Sequence, residues 1–371
     1  MSSSPRQGLA SYHITLKKMV LHTRIATLLR LYFLLFTQLA STVFSWPNND
    51  ADLLRDNHDY YAWNDDNIMT SISAERRVQD CGDCQQSYRI AFLGTSITYY
   101  NGLPNILGKL FEDAGFDYTQ RSVLRSGSSF VGLWNKTFNT IGSLARFCPY
   151  LRFQGPTNLL TLLDDGPWDY VVMQDNMQVP ARIETRGETA QYLEQNYVPL
   201  LVNAGVTPIL FQTWAYKEEG VKDSEDLGNY TEFHYSVVEG YQVYYERLHA
   251  ELQRFQQEKQ QPIIRARLAP LGQAFDQIRQ SNPELWDKIY MPDSIHPSSQ
   301  GTLLSAYILF WTITNGEIPP PAPPVQDHWW YSRFFLRHPL YYSKPPTKEE
   351  QQELWLAAEQ AYWDYHYSTR N

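Results

Sequence analysis

Ser96, Asp293 and His296 bring together the three side-chain types of nucleophilic acyl transfer: a hydroxyl, an imidazole that can take its proton, and a carboxylate that can orient the imidazole. Ser96 follows an apolar run, Arg89-Ile-Ala-Phe-Leu-Gly-Thr-Ser96, which reads as a buried strand ending at a glycine turn ahead of a helix. Backbone N–H groups at such a turn point to where an oxyanion would form. A serine after a strand is more often a helix cap, so Ser96 alone decides nothing. Far along the chain, Met291-Pro-Asp293-Ser-Ile-His296-Pro places a carboxylate three residues before an imidazole. That D-x-x-H spacing lets one loop present both side chains on one side, whereas the bland reading is a surface loop solvating a helix start. His58, His234, His249, His328, His338 and His366 fall in polar, tail or helical contexts and read as structural.

The elements that must position these residues alternate between strand and helix. Candidate strands are Tyr88 to Gly94, Tyr118 to Leu124, Tyr170 to Gln174, Thr207 to Thr213 and Ile263 to Ala269. Helices are expected over Leu103 to Ala114, Gly187 to Ala204, Val237 to Gln257, Leu271 to Ser281 and Ser299 to Thr314. The alternation predicts an α/β protein with a mostly parallel sheet covered on both faces, and sites in such sheets lie at the carboxyl ends of the strands. After Gly316 a proline-rich connector, Pro319 to Pro324, leads to His328-Trp-Trp-Tyr331 and a closing helix that Thr347-Lys-Glu-Glu350 starts with a capping box. The expected division is therefore a targeting segment over 1–45, a polar lead-in over 46–87, a catalytic domain over 88–316 and an extension over 317–371 that packs its aromatics on the domain.

The chain has 371 residues, 43% hydrophobic and 15% aromatic, enough for one substantial core. A formal charge of −9 argues against nucleic acid as a partner, since phosphate binding needs a positive field. Basic residues from Lys17 to Arg30 precede a short apolar stretch, Leu31 to Ser45, that resembles a secretory signal cleaved before Trp46. An uncleaved anchor is the competing reading, and only it would bring a membrane partner. The sequons Asn135-Lys-Thr137 and Asn229-Tyr-Thr231 would be glycan sites in a secreted chain. Cys81 and Cys84 form a single C-x-x-C without a second pair or nearby histidines, so no metal site is expected. A Cys81–Cys84 disulfide, a redox pair, or pairing of either with Cys148 all stay open.

The segment Gly94-Thr-Ser96-Ile-Thr resembles the first block of the SGNH, or GDSL-type, hydrolases, with Thr95 in place of the usual aspartate, and Asp293-Ser-Ile-His296-Pro is similar to their last block. The second glycine of the α/β-hydrolase nucleophile elbow is missing, which points the same way. The resemblance covers about Tyr88 to Gly316 and implies a three-layer α/β/α, flavodoxin-like fold with a five-stranded sheet. It implies Ser96 as nucleophile, His296 as base and Asp293 as its partner, with an oxyanion hole from Ser96, Gly127 and Asn176. The third block departs from the family's G-x-N-D: Val171-Val-Met-Gln174-Asp-Asn176-Met keeps the asparagine but puts Gln174 for glycine and Met177 for aspartate. With Gln212-Thr-Trp214-Ala-Tyr216 and Pro270-Leu-Gly-Gln-Ala-Phe275, this is similar to a divergent branch carrying a Q-x-x-S-like third block. Gln174 and Trp214 are expected to bind substrate.

The expected function is a secreted serine esterase acting on a small-molecule or glycan ester, carbohydrate acetyl groups included, with no cofactor. A lipid ester, an O-acyltransferase working through the same acyl-serine, and a non-catalytic glycan-binding or cell-surface protein on a hydrolase scaffold are the rivals.

Overall fold

The structure, a computed structural model, describes residues 86–135, 158–221, 223–261, 264–323 and 344–368. The targeting segment, the lead-in up to residue 85, Cys81, Cys84, Cys148, the end of the first sequon and the aromatic run His328-Trp-Trp-Tyr331 lie outside these residues.

Five strands form one all-parallel sheet in the order β2-β1-β3-β4-β5. They are β1 (Ser87–Gly94), β2 (Asp117–Leu124), β3 (Tyr170–Met173), β4 (Thr207–Phe211) and β5 (Arg267–Ala269). This is the flavodoxin-like order, with helices on both faces in three layers and its topological switch between β1 and β3. Ile90, Ala91, Phe92 and Leu93 are wholly buried, as a central parallel strand covered on both faces requires. β2 runs along the edge, polar through Ser122 and buried only at Val123 and Leu124, so an exposed edge does not present a flat apolar template.

Helix α1 (Ser96–Tyr99) leads through a 3₁₀ turn (Tyr100–Gly102) into α2 (Leu103–Asp113). After β2 come α3 (Phe130–Asn135) and α4 (Leu159–Asp164). After β3 come α5 (Gln178–Ala181) and α6 (Ile183–Tyr192), which passes through a π turn (Leu193–Tyr197) into α7 (Val198–Ala204). The expected helix over Gly187 to Ala204 is thus longer and broken once, next to Pro199, which has no N–H to give the ladder. α8 (Tyr230–Lys259) begins at Tyr230 rather than Val237, because Asn229 Oδ1 accepts the Thr231 and Glu232 amides (2.9 and 3.1 Å) while Glu232 accepts the Asn229 amide (3.0 Å).

The remaining helices are α9 (Leu271–Ser281), α10 (Pro283–Ile289), α11 (Ser299–Ile313) and α12 (Lys348–Ser368). Every residue of α11 is buried. Such a helix is apolar all round and needs cover on every side. α2 and α9 pack against it, and α12 lies over its remaining side through Leu354, Ala358, Ala361 and Tyr362, with the Trp311 and Tyr362 rings stacked at 5.8 Å. The terminal helix thereby belongs to the same core as the segment before Gly316. Among the described residues no helix is long and apolar enough to cross a membrane.

Candidate active site

Strand register brings three loops to one rim. Gly94 pairs with Leu124 and Leu93 with Met173, so the residues just beyond β2, β1 and β3 emerge side by side. Gly127, Ser96 and Asn176 lie in those three loops, at the switch point where parallel sheets open a crevice.

Ser96 opens α1, and it is not the cap. Thr95 takes that role, its Oγ1 accepting the Ile97 amide at 3.3 Å, which leaves the Ser96 hydroxyl for other work. The Ser96 N–H, in the first helical turn, has no intrahelical acceptor. Behind the turn, Gln174 Oε1 accepts from the Thr95 amide (2.7 Å), the Thr95 hydroxyl (2.8 Å) and the Thr98 hydroxyl (3.1 Å). Gly94 leaves room for this cluster: a Cβ there would stand 2.5 Å from Thr98 Oγ1 and 3.0 Å from Gln174 Oε1.

His296 comes to Ser96 from the opposite end of the domain. Its Nε2 lies 2.8 Å from Ser96 Oγ, and its Nδ1 lies 2.6 Å from Asp293 Oδ2. A carboxylate at Nδ1 keeps the proton on that nitrogen, so Nε2 presents its lone pair to the serine. Asp293 Oδ1 accepts the Ile295 and His296 amides, each at 3.0 Å, so one carboxylate shapes the loop and orients the ring. Partial burial works against ionisation of Asp293, but the His296 side chain and these amides outweigh it and hold the carboxyl down to about 2.

Neighbouring segments anchor that loop. Trp214 Nε1 donates to Ile295 O (3.1 Å), the Lys217 amide to Ser294 O (2.9 Å) and the Asn101 amide group to Pro297 O (2.7 Å). Trp214 also stacks on Phe275 at 3.9 Å.

The expected oxyanion donors fall on either side of Ser96. Gly127 has φ +65°, the left-handed conformation that glycine adopts without strain. Asn176 is oriented by the Gln178 amide, which donates to its Oδ1 at 3.0 Å, and its Nδ2 reaches Gly127 O at 3.3 Å. One N–H of the amide group is spent in that contact.

Gln174 and Trp214, expected at the substrate, are 0% exposed, with Gln174 tied to the turn of Ser96 and Trp214 to the loop of His296. They hold the site from behind.

Asp175, absent from the sequence reading, links the start of α3 to the turn of Asn176. Its Oδ1 accepts the Phe130 amide (2.9 Å) and the Asn176 amide (2.8 Å), and its Oδ2 accepts the Tyr244 hydroxyl (3.0 Å). It is fully buried, and desolvation pushes its carboxyl up to about 7 although those three donors pull it down. Tyr100, equally absent, stacks on the His296 ring. An acid beside a polar pair at a strand end was the available signal for Asp175, and Tyr100 had none.

No protein-family model and no curated protein matches the chain. Its structure is similar to solved structures of three bacterial proteins. A proposed SGNH hydrolase from Slackia heliotrinireducens is 23% identical, covering 62% of this chain and 100% of its own, with a TM-score of 0.41. A DUF4886 family protein from Bacteroides uniformis is 15% identical over 74% and 95% of the two chains, with a TM-score of 0.45. A GDSL-like lipase from Bacteroides thetaiotaomicron is 14% identical over 62% and 86%, with a TM-score of 0.29.

Proposed function

We propose that the protein is a secreted serine esterase that hydrolyses carboxylic esters, carbohydrate acetyl esters among them, through an acyl-serine intermediate. The observation that carries this reading is the unbroken hydrogen-bonded line from Ser96 Oγ to His296 Nε2 (2.8 Å) and from His296 Nδ1 to Asp293 Oδ2 (2.6 Å).

In the first step His296 Nε2 takes the Ser96 proton as Oγ bonds to the ester carbonyl carbon, and the carbonyl π pair moves onto oxygen. The N–H groups of Ser96 and Gly127 and the Asn176 amide face that oxyanion. The C–O bond to the alcohol then breaks, and the departing oxygen takes the proton from Nε2. Water repeats the cycle on the acyl-serine, giving up its proton to His296 and releasing the acid. Asp293 stays ionised throughout and stabilises the imidazolium. Loss of the Asn176 amide in Asn176→Ala is expected to lower kcat by about a hundredfold or more.

Purified protein should hydrolyse p-nitrophenyl acetate and be labelled at Ser96 by a fluorophosphonate, and Ser96→Ala should abolish both. Identical behaviour of the two proteins would hand the site to the non-catalytic glycan-binding reading. Acetylated glycans assayed with and without a sugar acceptor separate hydrolysis from acyl transfer. Secretion is supported by the basic and apolar N-terminal segment, and the exposed Asn229 sequon offers a check: material recovered from the medium should shift in mass on treatment with a glycosidase.

A further inference from the structure

Tyr100 lies against His296 with ring centroids 3.8 Å apart and planes 8° from parallel. With the planes about 3.5 Å apart, the van der Waals separation, this leaves the ring centres offset by about 1.5 Å. Offset stacking of this kind suits two neutral rings, as it does Trp214 on Phe275, and a cation over a ring face is attracted to it as well. The contact is therefore available to the imidazole and gains the cation–face attraction when the ring becomes an imidazolium.

The backbone adopts an uncommon conformation to make this contact. Asn101 (φ 50°, ψ 15°) and Gly102 (φ 67°, ψ 41°) are left-handed in succession, which turns the chain directly after Tyr100. A left-handed asparagine is tolerated at some cost, and the surrounding contacts must hold it. They do: the Asn101 amide group donates to Pro297 O (2.7 Å) and Thr302 Oγ1 (3.2 Å), which ties this turn to the loop and helix that carry His296. The ring's hydrogen-bond partners are Asp293 at Nδ1 and Ser96 at Nε2; of the loop after β4, Tyr216 has a phenol that feels the Asp293 charge, and Lys217 donates its amide to Ser294 O while its ammonium pairs with Asp287 at 2.9 Å.

We propose that Tyr100 is a positioning residue for the base: its ring, stacked on His296, fixes the plane of the imidazole and stabilises the imidazolium formed when the Ser96 proton moves to Nε2. This rests on the esterase reading. The charge appears only as the Oγ–H bond breaks and the N–H bond forms, so the contact strengthens toward the transition state and acts on kcat.

The test is the pH dependence of kcat and KM on p-nitrophenyl acetate for wild type, Tyr100→Phe, Tyr100→Leu and Ser96→Ala. Phenylalanine keeps the ring and should restore the wild-type profile to within about twofold. Leucine keeps bulk but no π face: kcat should fall about five- to tenfold with KM little changed, and the acid limb of the profile should move to lower pH by about half a unit, a threefold change in the base's hold on its proton. A leucine profile superimposable on wild type, or a phenylalanine variant displaced as far as leucine, overturns the inference. Should the leucine variant lose activity through misfolding, NMR titration of the His296 ring protons in a Ser96→Ala background, with and without Tyr100→Phe and Tyr100→Leu, gives the same comparison without turnover. An active Ser96→Ala would defeat the esterase reading itself, whereas an inactive Ser96→Ala beside an unmoved leucine profile would defeat only the role of Tyr100.

Discussion

The side-chain oxygen of Gln174 accepts both the amide and the hydroxyl of Thr95, at 2.7 and 2.8 Å, so the loop after the third strand fixes the turn that carries Ser96 on the first. A third donor, the Thr98 hydroxyl, closes the cluster from the far side of the short helix. All of these groups are buried.

Gln174→Ala removes the acceptor and leaves three buried donors without it. Each orphaned donor costs about 1–3 kcal/mol, tempered where a water enters the space. Urea unfolding should show a loss of about 2–4 kcal/mol, and kcat should fall well over tenfold with a smaller change in KM, because Ser96 loses its fixed position more than substrate loses its contacts. An unchanged kcat would remove Gln174 from the support of the nucleophile.

Ser96, Asp293 and His296 are legible in the sequence because each depends on a short local pattern: a hydroxyl after a buried strand, and a carboxylate three residues before an imidazole. Strands β1, β3 and β4 are legible for a similar reason, as short apolar runs, while β2 is polar through Ser122 and shows itself only in Val123 and Leu124. The start of α8 is not legible, since Asn229, Tyr230, Thr231 and Glu232 carry no apolar period and only the cap announces the helix. The burial of Gln174 and Trp214 is not legible: a polar or aromatic residue at the carboxyl end of a strand suggests a ligand surface, while its burial depends on how the loops close over it. Asp175 is invisible to local reading: its partners Phe130 and Tyr244 lie 45 and 69 residues away, and the chain reveals them only once folded.

Asp293→Asn keeps the shape of the loop but puts an amide where the carboxylate receives the Nδ1 proton. The amide either turns its oxygen to the ring or presents an N–H that favours the wrong tautomer, and in both cases the imidazolium loses its counter-charge. Activity at neutral pH should drop by about a hundredfold or more, though fluorophosphonate labelling at long times should persist. The carboxyl is depressed to about 2 in the folded protein, below its ordinary value, so it adds stability above pH ~4 that is lost as pH falls toward 2. Thermal melts should show the wild type losing more stability than the asparagine variant across that interval.

Asp175 works in the opposite sense and in the adjoining interval. Its folded value of about 7 lies above the ordinary one, so the folded protein holds a proton that the unfolded chain releases, and stability declines as pH rises from ~4 through 7. Asp175→Asn keeps an acceptor for the Phe130 and Asn176 amides, which meet at one carboxylate oxygen, and cannot ionise. Melts at pH 5 and pH 8 should therefore differ less for this variant than for wild type, and it should retain most of the activity. Asp175→Ala leaves both amides and the Tyr244 hydroxyl without their acceptor, and kcat should fall with KM nearly constant as the turn of Asn176 loses its tie to α3. If alanine and asparagine behave alike, the clasp between α3 and the turn of Asn176 is not what Asp175 provides.

Truncation after Gly316 tests whether the terminal helix is a decoration or part of the core. It would strip α12 from α11, a helix buried on every side, and expose Trp311 together with the apolar side chains that Leu354 and Tyr362 now cover. Burying a large apolar side chain contributes about 1.5–3 kcal/mol, and several lie on each side of this contact, so the loss is comparable with the about 5–15 kcal/mol that holds a domain folded. The shortened chain should be insoluble or lack a cooperative melt. A milder change, Leu354→Ala in the full chain, should cost about 2–5 kcal/mol and leave KM unchanged, since it empties a buried position on α12 whose side chain carries no polar group and so makes no hydrogen bond to Ser96, Asp293 or His296. A truncated protein that melts cooperatively near the wild-type temperature would place the boundary of the folded unit at Gly316 and make α12 dispensable.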